Sequence, residues 1–183
     1  MTKTPVLVRP IRVDDAEAVA TAHVRAWQVG YREILPAAFL DAIDLGERVE
    51  RWRGWLADEA FRLTRVVVAE VDGTVVGFAI HGAERDSGDD ARTTGELYAL
   101  NVHPDHWGAG AGGALLEHVT AALADAGHGD AVLWVLRGNA RARRFYAHHG
   151  WAPDGGEKLD TQDGVELDEV RYRRPLAPDG RAG

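Results

Sequence analysis

Leu100-Asn101-Val102-His103-Pro104-Asp105-His106-Trp107-Gly108-Ala109-Gly110-Ala111-Gly112-Gly113 is the stretch on which the fold of this chain turns. Glu96 to Val102 reads as a strand that His103-Pro104 ends. Gly108 to Gly113 then open a helix that buries Leu115, Leu116, Val119 and Leu123 at helical spacing. Small residues at such a junction let the backbone approach a ligand closely. Successive N–H groups point outward at the helix start, where the dipole is positive, so the junction is ready for a phosphate or pyrophosphate. A tight turn that binds nothing is the plainer alternative. Four glycines within six residues cost backbone entropy that such a turn does not require.

The spacing Gly108-x-Gly110-x-x-Gly113 also fits the dinucleotide fingerprint, which alone is a weak signal. Five residues separate Val102 from Gly108, whereas a dinucleotide turn leaves its strand almost directly. The next strand ends in Arg137-Gly138 and offers no acidic group for a ribose. Too little chain remains for a second nucleotide-binding half. A P-loop fails as well, because no Lys-Ser or Lys-Thr follows the glycines.

Working outward, Val6 to Val13 reads as a first strand. Asp14 reads as an N-cap with Glu17 completing a capping box, and the helix it opens carries Val19, His23, Ala26, Trp27 and Gly30. Pro36 interrupts, a second helical stretch starts near Ala37, and Trp52, Trp55 and Leu56 mark a third. Arg65 to Val71 and Thr74 to His81 form a hairpin about Asp72-Gly73. Glu84 to Thr94 is a polar loop. Ala131 to Leu136 is a buried strand, Asn139 caps a last helix that Gly150 stops, and Val165 to Tyr172 is a final strand. Strands and helices alternate, with antiparallel hairpins at both ends. The expectation is an α/β (α+β) fold of one domain over residues 1–176, with a flexible tail at 177–183.

The segment Leu100 to Gly113, with its Val-x-Pro and Gly-x-Gly-x-Gly into an amphipathic helix, resembles the acetyl-CoA motif of the GNAT superfamily of N-acetyltransferases. Asn139-Ala140-x-Ala142-x-x-Phe145-Tyr146-x-x-x-Gly150-Trp151 resembles the family's next motif. The two stand in the family's order and separation, and together cover Glu96 to Trp151. The resemblance implies a mixed, mostly antiparallel sheet flanked by helices, with two splayed parallel central strands, Glu96 to Val102 and Ala131 to Leu136. It implies acetyl-CoA as donor and CoA as product. Leu100, Asn101 and Val102 would pair with the pantetheine arm. Gly108, Ala109, Gly110, Ala111, Gly112 and Gly113 would hold the pyrophosphate, and Asn139 would contact the cofactor. Tyr146 would be the acid that protonates the departing thiolate. The family usually has Gln or Arg where this chain has Trp107, so weaker cofactor binding is expected. Arg141, Arg143 or Arg144 either supplies charge to the cofactor's phosphates or forms an exposed basic helix face.

Direct attack by a bound amine gains most from positioning and needs no covalent intermediate. Glu96 is the first candidate for general base and His81, on the acceptor side, the second; an amine of lowered pKa needs neither. Trp27 and Tyr31, four apart on the first helix, either line the acceptor pocket or pack as an aromatic stripe on the sheet. Glu84, Asp86, Asp89 and Asp90 either draw in a cationic acceptor or form a solvated loop. A non-catalytic acyl-CoA-binding module is the competing reading of the same fold, and retention of Asn139 and Tyr146 speaks against it.

Composition narrows the remaining classes. The chain has 183 residues, a formal charge of −8 and no cysteine. Disulfides, thiolate metal sites and cysteine nucleophiles are excluded, and the acidic balance sets nucleic-acid binding aside. His103 and His106 flank a turn and His148-His149 are adjacent, so no metal site is expected. No stretch approaches the ~20 apolar residues of a membrane span, and Met1 to Val8 lacks the apolar run of a signal peptide. A cytoplasmic protein is expected, with a small-molecule or peptide amine as acceptor and, from the resemblance, a homodimer as one option. Arginine in place of lysine, with abundant alanine and glycine, reads as the codon bias of a GC-rich bacterial genome.

Overall fold

The computed structural model describes residues 5–59, 61, 65–85, 89–162 and 164–176. The expected tail, 177–183, lies outside the described residues. The chain groups into two compact units, residues 1–80 with 99–118 and residues 81–98 with 119–183. The strands are β1 (Leu7–Pro10), β2 (Val66–Val71), β3 (Thr74–Ala83), β4 (Thr94–Val102), β5 (Asp130–Leu136), β6 (Ala152–Gln162) and β7 (Val165–Pro175). The helices are α1 (Ala16–Gly30), α2 (Ala37–Asp41), α3 (Leu45–Ala57), α4 (Ala111–Asp125) and α5 (Ala140–His148). Hydrogen bonding orders the strands β1-β2-β3-β4-β5-β7-β6. The result is a mixed, mostly antiparallel sheet with flanking helices, the architecture the sequence implies. β3, β4 and α4 each pass from one unit into the other.

In the first unit β1, β2 and β3 pair antiparallel. The β2–β3 turn takes positive φ at Asp72 (49°) and Gly73 (77°), as a two-residue hairpin requires. Ile11, Val19, Ala20, Trp52, Leu56, Val68 and Phe78 form a buried apolar core between this sheet and α1 and α3. α3 starts at Asp44, whose Oδ1 accepts from Glu47 N at 2.8 Å.

The start of α1 corrects an expectation. Asp15, not Asp14, stands at the N-cap position, and its side chain makes no capping hydrogen bond to the helix. The Asp15 carboxylate accepts from Arg12 N at 2.7 Å and takes both Arg9 Nη1 (2.7 Å) and Nη2 (2.9 Å) from β1. Asp14 carries the local capping-box signal with Glu17, but the Arg9 guanidinium engages Asp15 instead. A short 3₁₀ turn, Val13–Asp15, precedes the helix, and β1 ends at Pro10, three residues short of the expected Val13.

In the second unit β5 pairs antiparallel with β7, and β7 with β6. β4 pairs parallel with β5 from Thr94–Asp130 to Leu97–Leu133, short of the ends of both strands. β6 is a strand that the sequence pattern does not reveal. It contains Pro153, Gly155 and Gly156, is mostly exposed, and its pairing shifts register between Pro153 and Glu157. An edge strand without an apolar face gives no alternation to detect.

Candidate active site

The first unit carries the glycine-rich junction. β4 ends at Val102, which is buried, and the His103 N–H continues the pairing to Val76 O at 2.8 Å. β3 approaches closely here. A Cβ on Gly77 would lie 2.8 Å from Asn101 O and 3.0 Å from Val102 Cγ2. Pro104–His106 then make one 3₁₀ turn, and His103 Nδ1 accepts from Asp105 N at 3.3 Å. Trp107 closes the turn. Its backbone N–H reaches Pro104 O at 3.0 Å and its indole Nε1 donates to Val102 O at 2.7 Å. The residue that departs from the family pattern thus ties the end of the strand to the loop.

Gly108 (φ 77°) and Gly110 (φ 100°) follow in the left-handed region. Nothing lies within 4 Å of a Cβ built on Gly108, so backbone conformation, not crowding, demands glycine there. The bend delivers the chain into α4, where Ala111 is fully buried and Ala114 N makes a helical bond to Gly110 O at 3.0 Å. The N–H groups of Ala111, Gly112 and Gly113 precede that bond and have no intrahelical acceptor. Free N–H groups at a helix start suit an anion.

The first unit also holds an aromatic stripe on α1. Trp27 and Tyr31 stand edge to face at 5.0 Å between centroids, with Phe39 at 6.4 Å from Trp27. His23 lies one turn earlier, 5.8 Å from Trp27, and its Nδ1 accepts from Trp52 Nε1 at 3.4 Å. Burial, and then the cationic Arg48 and Arg51, push the His23 imidazole down to about 3. His23 is therefore neutral at physiological pH, with Nδ1 as acceptor.

The second unit carries the downstream motif. Asn139 is buried, and its Oδ1 caps α5 by accepting from Ala142 N at 3.0 Å. Tyr146 is 8% exposed and packs edge-on against Phe145 and Trp151. Arg143 is engaged within the unit: Nε reaches Tyr172 Oη and Nη1 reaches Arg137 O, both at 3.1 Å. The other two motif arginines, Arg141 and Arg144, are exposed.

Glu96 is 2% exposed. Its Oε2 accepts from Arg85 N at 3.0 Å and its Oε1 from Arg85 Nη2 at 3.3 Å. His81, half-buried, sits within β3, which runs two residues beyond the expected strand end. The acidic loop changes character. Asp89 pairs with Arg171 and Arg173, Asp90 pairs with Arg92, and Glu84 is buried. Asp86 lies outside the described residues. Asp89 and Asp90 are thus neutralised in place and offer no open acidic patch. Among the described residues no group of three His, Cys, Asp or Glu is placed to hold a metal ion.

Two features of the site escape a reading of the sequence: Arg85 and the bracing role of Trp107. Glu96 and Tyr98, two apart on one strand face with an arginine just beyond the end of the preceding antiparallel strand, were the available signal for Arg85.

Comparison with known proteins leads to the same family. The profile of the Acetyltransferase (GNAT) family matches residues 20–151. An uncharacterized N-acetyltransferase of Bacillus subtilis, YuaI, is 30% identical over 168 residues, covering 92% of this chain and 89% of the relative. Among solved structures, the PaiA N-acetyltransferase of Thermoplasma acidophilum in complex with coenzyme A superposes with a TM-score of 0.71 at 18% identity, covering 93% of this chain and 99% of that one. The yncA protein of Salmonella typhimurium, with its cofactor acetyl-CoA, gives 0.67 at 24% identity, covering 97% and 99%. The chain belongs to the GNAT family of acetyltransferases and is an acyltransferase. Among the described residues no helix is long and apolar enough to cross a membrane.

Proposed function

We propose that the protein moves an acetyl group from acetyl-CoA directly to an amine of a small molecule or peptide. The observation that carries this reading is the junction after β4. Two left-handed glycines, Gly108 and Gly110, feed a helix start whose N–H groups at Ala111, Gly112 and Gly113 have no helical acceptor. A pyrophosphate fits such a set of backbone donors without a cationic side chain. Trp107 therefore need not weaken the site, since its indole rigidifies the turn that presents the donors. Leu100, Asn101 and Val102 supply strand-edge backbone groups for the pantetheine arm, with one lone pair of Val102 O already taken by Trp107.

Acetyl-CoA supplies an activated thioester when bound. The chain's residues position the reactants and handle two protons. Tyr146 is the group that gives its phenolic proton to the sulfur as the C–S bond breaks. Glu96 takes the proton from the attacking amine, directly or through water, and His81 is the second candidate. Asn139 and Arg143 contribute on the cofactor side, Trp27 and Tyr31 on the acceptor side. The cytoplasm is the proposed compartment.

Calorimetric titration with acetyl-CoA, with NAD and ATP as controls, tests the cofactor assignment. Saturable acetyl-CoA binding with silent controls supports it, and no binding to folded protein removes it. Tyr146→Phe is expected to lower kcat by about a hundredfold with unchanged acetyl-CoA affinity. Unchanged turnover would remove Tyr146 as the acid.

A further inference from the structure

Arg85 stands two residues beyond the end of β3 in the second unit, and its side chain is 53% exposed. A half-exposed arginine ordinarily samples many rotamers. This one is held at three points. Its backbone N–H and its Nη2 both bond to the buried carboxylate of Glu96. Its guanidinium lies over the Tyr98 ring, with Cζ 3.4 Å from the centroid. Tyr98 is itself fixed by a hydrogen bond from its hydroxyl to Ala83 O at 2.5 Å. Stacking and pairing together remove most of the rotamer freedom that a ligand would otherwise have to freeze.

The guanidinium is not used up. Glu96 takes one N–H of Nη2, and among the described residues Nε and Nη1 have no partner. Among the described acidic groups of the loop, Asp89 is committed to Arg171 and Arg173 and Asp90 to Arg92. A planar fork of N–H donors, pre-oriented and half in water, matches a carboxylate. It also adjoins Glu96, the group proposed to receive the amine's proton.

We infer that Arg85 anchors a carboxylate of the acceptor, so that the amine acetylated belongs to the amino acids or their close analogues. The inference deepens the proposed activity and rests on it. Glu96 then has a positioning duty, holding Arg85 over Tyr98, beside its proposed role with the amine.

The test uses the full chain with acetyl-CoA and a panel of L-amino acids, the matching amino-acid amides and O-phosphoethanolamine, read by CoA release and by calorimetric binding of the N-acetylated products. A carboxylate anchor is expected to favour acids over amides by about ten- to a hundredfold in kcat/KM. Arg85→Gln should abolish that preference, so that acids and their amides are turned over at similar kcat/KM. Because Arg85→Gln leaves Glu96 buried without its cation, Arg85→Lys serves as the variant that keeps the charge; it should retain part of the preference, chiefly through a raised KM for the acids. Arg92→Gln, which removes the same charge from an exposed site, should leave the preference intact. Amides turned over as well as acids, a preference unchanged in both Arg85 variants, or preference for the phosphate overturns the inference. Failure of every acid to turn over or bind as product overturns it too. If acetyl-CoA still binds in that case, the proposed acetyl transfer survives alone; if acetyl-CoA does not bind, that reading falls with it.

Discussion

Two regions of the molecule are held by opposite means. In the first unit Trp52, Phe78 and Leu56 lie at 0–1% exposure and close over each other, with Trp52 and Phe78 edge to face at 4.9 Å. In the second, Asp154 on β6 bridges Arg171 (2.8 Å) and Arg173 (3.0 Å) on β7, and Arg173 reaches on to Asp130 on β5 at 2.8 Å. Asp89 joins both arginines from the loop. The apolar region can carry a neutral imidazole, His23, because it excludes water and offers no counter-charge. The ionic network carries charges because each is paired and part-exposed. Burial pushes the Asp154 carboxyl up, but hydrogen bonds from Arg171, the Gly156 N–H and Arg173 outweigh it and hold it below the usual carboxylate range. β6 has no apolar face, so this network and its backbone ladder attach it to the sheet.

The apolar region is most severely damaged at Trp52. Trp52→Ala should destabilise the protein by about 3–5 kcal/mol, read from the urea midpoint, since the cavity opens among rigid neighbours. A loss under about 1 kcal/mol would mean that the aromatic interior is not what holds the first unit. The two regions should next separate by pH. The unfolded His23 titrates near 6.5 and the folded one near 3, so the unfolded chain alone takes up a proton in between. Stability should therefore fall as pH drops through that window, by about 2 kcal/mol between pH 6.5 and 4.5. His23→Gln should flatten that slope, and an unaltered slope would locate the titration elsewhere. The ionic network answers at lower pH. Asp154 contributes stability above the ordinary carboxylate range that is lost as pH falls below it. Asp154→Asn should cost about 1–2 kcal/mol at low salt and less in 1 M NaCl, because these ions are part-exposed and screened. Equal cost at both salt concentrations would make the network behave as a dry core. At the small end, Arg92→Gln breaks an exposed pair with Asp90 and should leave the urea midpoint unchanged within error.

Local chemistry made much of the fold and of the candidate site legible in the sequence. Asp72-Gly73 specifies its turn locally, Asn139 caps its helix from three residues away, and the glycines from Gly108 to Gly113 announce a strand-to-helix junction open to close backbone approach. Each answer depends on neighbours within a turn of chain. The family motifs are legible for the same reason. The commitments of the polar groups were not. Asp15 rather than Asp14 stands at the start of α1, and Arg9, six residues back in β1, engages it. Asp89 and Asp90, readable as an open acidic loop, are neutralised by arginines, two of them more than 80 residues away. The wedge of Trp107 onto Val102 spans five residues but depends on the exact turn between them.

Periodicity, turn chemistry and backbone permissiveness act over a few residues. The alternation of strands and helices, the glycine junction and the family therefore follow from the linear chain. Folding in three dimensions was needed to make β6 a strand, to keep His23 neutral, and to stack Arg85 on Tyr98 and tie it to Glu96. Burial and ion pairing depend on which distant side chains arrive together, and a linear pattern does not encode that arrival.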